Sequence, residues 1–171
     1  TDNADNGTAT FTGAVGNGTN DPHTLTVTAK DTIFSSTVNV GTGGLRVTGV
    51  GNSTTLLNGN ITSGGSVLID DKVVLTNNVT IDTTAHASSV EITGLIDGDV
   101  NDTWTLVITA GTGAVTLGNS VGTRFTLNTL RIITSGQTEL NGNIRTGVDI
   151  DLHLATDVQL GSNVTMIAGN D

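Results

Sequence analysis

The sequence predicts an all-β fold, a parallel β-solenoid, from three observations. Apolar residues recur as doublets at alternate positions, Gly and Asn are packed densely between them, and the core composition is aliphatic with almost no aromatics. Only 2% of the 171 residues are aromatic, with Trp104 the one Trp and no Tyr. A conventional core of this size uses more large aromatics because they bury the most area per residue. A narrow coil has no room for them.

The doublets come first. They include Leu25/Val27, Val38/Val40, Leu45/Val47, Val67/Ile69, Val73/Leu75 and Val79/Ile81. The row continues with Leu106/Ile108, Val115/Leu117, Phe125/Leu127, Leu130/Ile132, Val148/Ile150, Leu152/Leu154 and Val158/Leu160. Alternation at period two places each doublet on one face of a strand. Thr, Val and Ile suit strands because branched side chains pack on a pleated surface. The separators are turn chemistry: Gly41-Thr-Gly-Gly44, Asn58-Gly59, Ser63-Gly-Gly65, Gly111-Thr-Gly113 and Asn141-Gly142. One Pro, Pro22, argues against a proline-rich disordered linker. Such short strands stack coil on coil around a thin core, at roughly 20–25 residues per coil. At a spacing of about 4.8 Å the chain makes a rod roughly 35–40 Å long. Thr and Asn aligned on successive coils are expected to form hydrogen-bonded ladders.

A longer repeat overlies this rhythm. Phe11-Thr-Gly-Ala-Val15 matches Ile92-Thr-Gly-Leu-Ile96, and Thr24-Leu-Thr-Val-Thr-Ala29 matches Thr105-Leu-Val-Ile-Thr-Ala110, both at one and the same offset. Leu57-Asn-Gly-Asn-Ile61 matches Leu140-Asn-Gly-Asn-Ile144 at an offset slightly larger, as small turn insertions between the copies would give. Positions 1–84 are thus read as copy one and 85–171 as copy two of a unit of about four coils, both within one solenoid. The end of copy two is in phase with the start of copy one, so the expected partner is the chain itself, head to tail or in a longer array. The rival reading is two tandem immunoglobulin-like sandwiches, a fold whose size of about 100 residues is close to that of each copy. It wants longer strands and a repeated core aromatic, yet the counterpart of Trp104 is His23.

Thr10-Phe-Thr-Gly-Ala-Val15, the run from Thr105 to Leu117 and Thr138-Glu-Leu-Asn-Gly-Asn-Ile144 resemble repeats of filamentous-haemagglutinin-like and related β-strand-repeat proteins, which are large bacterial exoproteins. The resemblance covers nearly the whole chain. It implies export to the cell surface or outside the cell, a right-handed β-helical rod, and roles in adhesion, biofilm matrix or filament formation. It supplies no catalytic residues.

The formal net charge of −10 disfavours phosphate backbones, and Arg46, Arg124, Arg131 and Arg145 are isolated. Nucleic acid is therefore not an expected partner. No apolar run is long enough to span a bilayer. There is no Cys, and the Asn/Asp-rich start at Thr1 carries no signal-peptide pattern, as expected of a mature or excised piece.

No cofactor is expected, with Ca²⁺ the one candidate. Asp97, Asp99, Asn101 and Asp102 supply oxygens on what reads as an acidic turn, and Ca²⁺ takes six to eight such ligands. The pattern lacks the loop Gly and the closing Glu. Asp2, Asp5 and Asp171 are a weaker calcium set at the chain ends. Asp149 and Asp151 alternate on a strand and are expected to face water together, although a carboxylate pair is also what a glycosidase needs. That second use keeps open a carbohydrate-binding or polysaccharide-degrading module, with host or matrix glycans as partners. His23, His86 and His153 lack metal-ligand spacing. Asn-x-Thr triplets begin at Asn6, Asn17, Asn52, Asn60, Asn78, Asn101 and Asn163 and read as products of an Asn/Thr-rich composition.

Overall fold

The computed structural model describes residues 7–16, 20–153 and 155–169. They form eighteen strands and, among the described residues, no helix. Every strand pair is parallel. Parallel pairing overturns the tandem-sandwich alternative, whose sheets are antiparallel. The chain is a β-solenoid of about seven turns.

Each coil passes three strand positions, which stack into three ladders. On the first ladder the register runs Leu25, Leu45, Val67, Val90, Val115, Thr138, Val158. Coil length is not constant along this row. The steps lengthen from Leu25–Leu45 up to Val90–Val115 and shorten again by Thr138–Val158. The second ladder runs Ala9, Thr32, Thr55, Val73, Ile96, Val121, Ile144, Met166. The third runs Val15, Val38, Ile61, Ile81, Ile108, Ile132, Leu152. The longest strand, Leu45–Leu57, carries both a first-ladder and a second-ladder segment around one corner.

The alternating doublets are the core. Val47, Ile69, Leu75, Ile81, Leu106, Ile108 and Ile132 are fully buried. Near the first coils Phe11 stacks on Phe34 with centroids 5.0 Å apart, and further along Trp104 packs part-buried against the core. The sequence expectation fails for Val148, which is exposed because the register shifts beside it, between Leu127 and Thr129 on the neighbouring strand. Leu154 lies outside the described residues. Val158, Leu160 and Met166 do occupy inward ladder positions, yet they are 40%, 55% and 45% exposed, because no described coil lies above them.

Several corners share a rule. An inward apolar residue is followed four positions later by the first inward residue of the next ladder, as in Phe34/Val38, Leu57/Ile61, Leu75/Val79, Leu117/Val121 and Leu140/Ile144. Leu-Asn-Gly-Asn-Ile is one form of that corner. Its first Asn donates its backbone N–H to the coil below: Asn58 to Phe34 O at 3.0 Å, Asn141 to Leu117 O at 2.9 Å. Its Gly passes so close to that coil that a Cβ would lie 2.4 Å from Ser36 C at Gly59 and 2.3 Å from Ser120 N at Gly142. Its second Asn accepts, through Oδ1, a backbone N–H from the coil above: Thr80 to Asn60 at 2.8 Å, Thr165 to Asn143 at 2.9 Å.

Such bonds, from a Thr backbone N–H to an Asn or Asp side chain, tie one coil to the next at several places. Asn78 accepts from Thr105 N (2.9 Å), Asn101 from Thr126 N (3.0 Å) and Asp31 from Thr54 N (3.2 Å). They satisfy backbone donors where the strands are interrupted.

The long repeat does not coincide with whole coils. Leu25 lies on the first ladder and its counterpart Leu106 on the third. Leu57 lies on the second and Leu140 on the first. Each copy therefore advances three coils plus two further ladder positions, in place of the four coils expected.

Candidate functional site

The acidic segment at 97–102 carries four oxygen-bearing side chains, which divide among three sets of partners. Asp97 is not on a turn. It sits in the strand Ile96–Gly98 and is 1% exposed. Its Oδ2 lies 3.3 Å from Lys72 Nζ, and its Oδ1 accepts the Arg124 N–H at 3.0 Å. Asp99 accepts from the Trp104 indole N–H. Asn101 receives Thr126 N–H as above, and Asp102, at φ 54°, accepts from the Thr126 hydroxyl. The expectation of an acidic turn fails at Asp97 because a carboxylate with a lysine partner can be buried in the sheet. Among the described residues, no three carboxylate or histidine side chains come together in a metal-binding group. The weaker set of Asp2, Asp5 and Asp171 lies outside the described residues.

The other sequence candidates are dispersed. Asp149 is exposed and Asp151 is half-buried, paired with Arg131 at 2.9 Å. His86 and His153 are exposed, and His23 is exposed beside Asp21. Of the Asn-x-Thr asparagines, Asn60, Asn78 and Asn101 are the inter-coil acceptors described above. Asn163 is exposed, and Asn52 is exposed on a bulge. Asn6 and Asn17 lie outside the described residues.

That bulge marks a site the sequence reading missed. In the strand Leu45–Leu57 the pairing jumps from Gly49 to Thr54, so residues 50–53 stand opposite Lys30 alone. On the other side, Asp70 pairs with Thr48 and Lys72 with Thr54, leaving Asp71 alone beneath the same bulge. Asp71 is 7% exposed. Its Oδ1 accepts from Thr55 Oγ1 at 2.7 Å, while its buried Oδ2 has no hydrogen-bond partner. Gly49 admits this packing, since a Cβ there would lie 1.6 Å from Ser53 Oγ and 2.7 Å from Asp71 Cβ. Burial, then the negative charges of Asp70 and Asp31, push the Asp71 carboxyl up to about 6 from its ordinary 3.8, against the lowering effect of hydrogen bonds from Thr55 and Ser53.

Outside the seat lies an open groove of about 630 Å³, lined among others by Asn52, Asp70, Lys72, Thr93 and Asn119. Asp70 accepts from Thr93 Oγ1 at 2.6 Å. The sequence does carry a signal for Asp71. The row Val67, Ile69, Asp71, Val73, Leu75 keeps one period-two phase, and Asp71 is the carboxylate in an otherwise apolar set.

Comparison with protein-family models, curated proteins and solved structures finds no match.

Proposed function

We propose that this chain is a structural, non-catalytic rod element, a stalk or filament segment of an extracellular or cell-surface repeat protein. One observation carries the reading: the last coil presents Val158, Leu160 and Met166 in inward ladder positions that lower coils fill with buried Val115, Leu117 and Ile96. Such a surface fits a further parallel coil, supplied by a continuing chain or by a second copy stacked head to tail. Unpaired backbone groups at the same end add to that fit. The resemblance to filamentous exoprotein repeats supports the same reading.

Negative-stain electron microscopy of the concentrated chain, with and without EDTA, tests it. Fibres, or rods whose length grows with concentration, support stacking of copies. Strictly monomeric short rods at every concentration remove stacking and leave the stalk. Dispersal in EDTA alone identifies calcium as a bridging ion.

The groove beside Asp70 favours a second reading, a carbohydrate-binding or polysaccharide-degrading module, since carboxylate, amide and hydroxyl groups line one open channel. A polysaccharide panel that yields neither binding nor released oligosaccharide removes it.

A further inference from the structure

We propose that the Asp71 corner is a proton-operated latch: the seated, protonated carboxyl holds the bulge at residues 50–53 closed, and loss of its proton releases the bulge over the groove. This device is independent of the rod and glycan readings above.

The argument rests on where a charge at Asp71 would go. The seat is inside the wall, and Oδ2 has neither water access nor a protein donor. An ionised carboxylate there would be buried and half-satisfied, which is costly unless a cation sits beside it. The charged neighbours do not supply one. From the preceding coil Asp31 adds negative charge, and from the same strand Asp70 does so too. Lys72, the adjacent cation, is committed to Asp97 on the next coil at 3.3 Å. Lys30, opposite the bulge, is exposed. The later coils line the groove with Thr93, Gly94, Leu95 and Asn119, none of which titrates. Only the Thr55 and Ser53 hydroxyls face the carboxyl as donors.

The bulge is the part of this wall built to move. Residues 50–53 are an insertion relative to the neighbouring coils, so lifting them leaves the flanking pairs Gly49–Ala29 and Thr54–Asp31 in place. Gly51 sits at φ 71° with open space around it, and Asn52 is exposed. Ser53, at the end of the bulge, packs beside Asp71 and closes the seat. Ionisation of Asp71 therefore relaxes most cheaply by lifting the bulge and admitting water.

Amide hydrogen exchange by NMR from pH 4.5 to 8, corrected for intrinsic base catalysis, tests the latch, together with the titration of the Asp71 carboxyl carbon. The expected result is an opening constant for residues 50–53 that rises up to about tenfold per pH unit as pH climbs toward about 6 and levels off above it. Ile69 and Ile81 amides in the ladders should stay flat. Asp71→Asn, close to isosteric, should hold the bulge closed at every pH. Thr55→Val removes a hydrogen bond that favours the carboxylate, so it should move the transition to higher pH. Flat exchange in the unsubstituted chain, the same pH dependence in Asp71→Asn, or a carboxyl midpoint in the ordinary aspartate range would each overturn the proposal.

Discussion

The two Leu-Asn-Gly-Asn-Ile segments share a sequence and occupy different corners. The copy at 57–61 leads from the second ladder to the third, and the copy at 140–144 from the first to the second. Each makes the same contacts: an N–H to the coil below, a Gly pressed on that coil, and an Asn side chain reaching to the coil above. The corner is thus a local device, indifferent to which faces it joins. What the sequence encodes directly is which residues point inward and where the chain turns; the face on which a segment lands is set by the summed lengths of the turns before it. Because the long repeat advances two ladder positions beyond whole coils, anything it displays on its surface is carried to a different face in the next copy.

The largest effect should come from the inward leucines of the two segments. Leu57 and Leu140 are both fully buried. Leu57→Ala and Leu140→Ala should each cost about 2–5 kcal/mol in denaturant unfolding. Leu140 should fall at the low end, because Leu160 above it is 55% exposed and leaves the site freer to collapse. Equal losses at both would mean that the last coil is as well packed as the middle ones. A loss below about 1 kcal/mol at Leu57 would contradict the shared core.

Next in size is Asp71, which has no equivalent elsewhere on the first-to-second corner. There, other coils place Lys30, Gly94, Asn119 and Gly142 between their two ladder segments. Its folded-state value, about 6, lies above the ordinary 3.8. The folded protein therefore holds this proton more tightly than the unfolded chain does. The stability it contributes is complete below about pH 3.8 and is lost as pH rises through about 6. Asp71→Asn should stabilise the protein at pH 7.5 by about 1–3 kcal/mol and do little at pH 4, read from paired urea melts. A gain of the same size at both pH values would show that the seat acts through packing and not through charge.

How much of this is legible in the sequence follows the same division. The doublets name the core almost residue by residue, and the Gly/Asn clusters mark the corners, because side-chain alternation and turn chemistry are local properties. The failures are those of accumulated geometry. Four coils per copy follows from an average coil length, and an average misses the two-thirds turn that unequal turns add up to. The acidic run at 97–102 reads as one feature along the chain, whereas the strand Ile96–Gly98 carries Asp97 into the wall, Asp99 goes to Trp104, and Asn101 and Asp102 meet at Thr126. Asp71 breaks an apolar row between Asp70 and Lys72, but that charged triplet alone reads as an exposed turn. Asp70 adds its charge from the next position, but the coil that buries Asp71 and the side chains of Thr55, Asp31 and Ser53 come from elsewhere along the chain.

The smallest effects test the indifference of the corner most directly. Asn60→Ala and Asn143→Ala each remove one Oδ1 acceptor and leave a threonine N–H without its bond, at 2.8 Å in one case and 2.9 Å in the other. Each should cost about 0.5–1.5 kcal/mol. The local readouts should differ even where the energies agree. A solenoid's stability is a sum of coil and nearest-neighbour terms. Asn60→Ala weakens a central coil, so exchange at Thr80 should rise within an otherwise protected ladder. Asn143→Ala weakens the hold on the last coil, so Thr165 and the strand Met166–Ala168 should exchange before the rest of the protein loosens. If both substitutions frayed the same end, the corner would be transmitting strain along the rod, and the local reading of the Asn-Gly-Asn turn would fail.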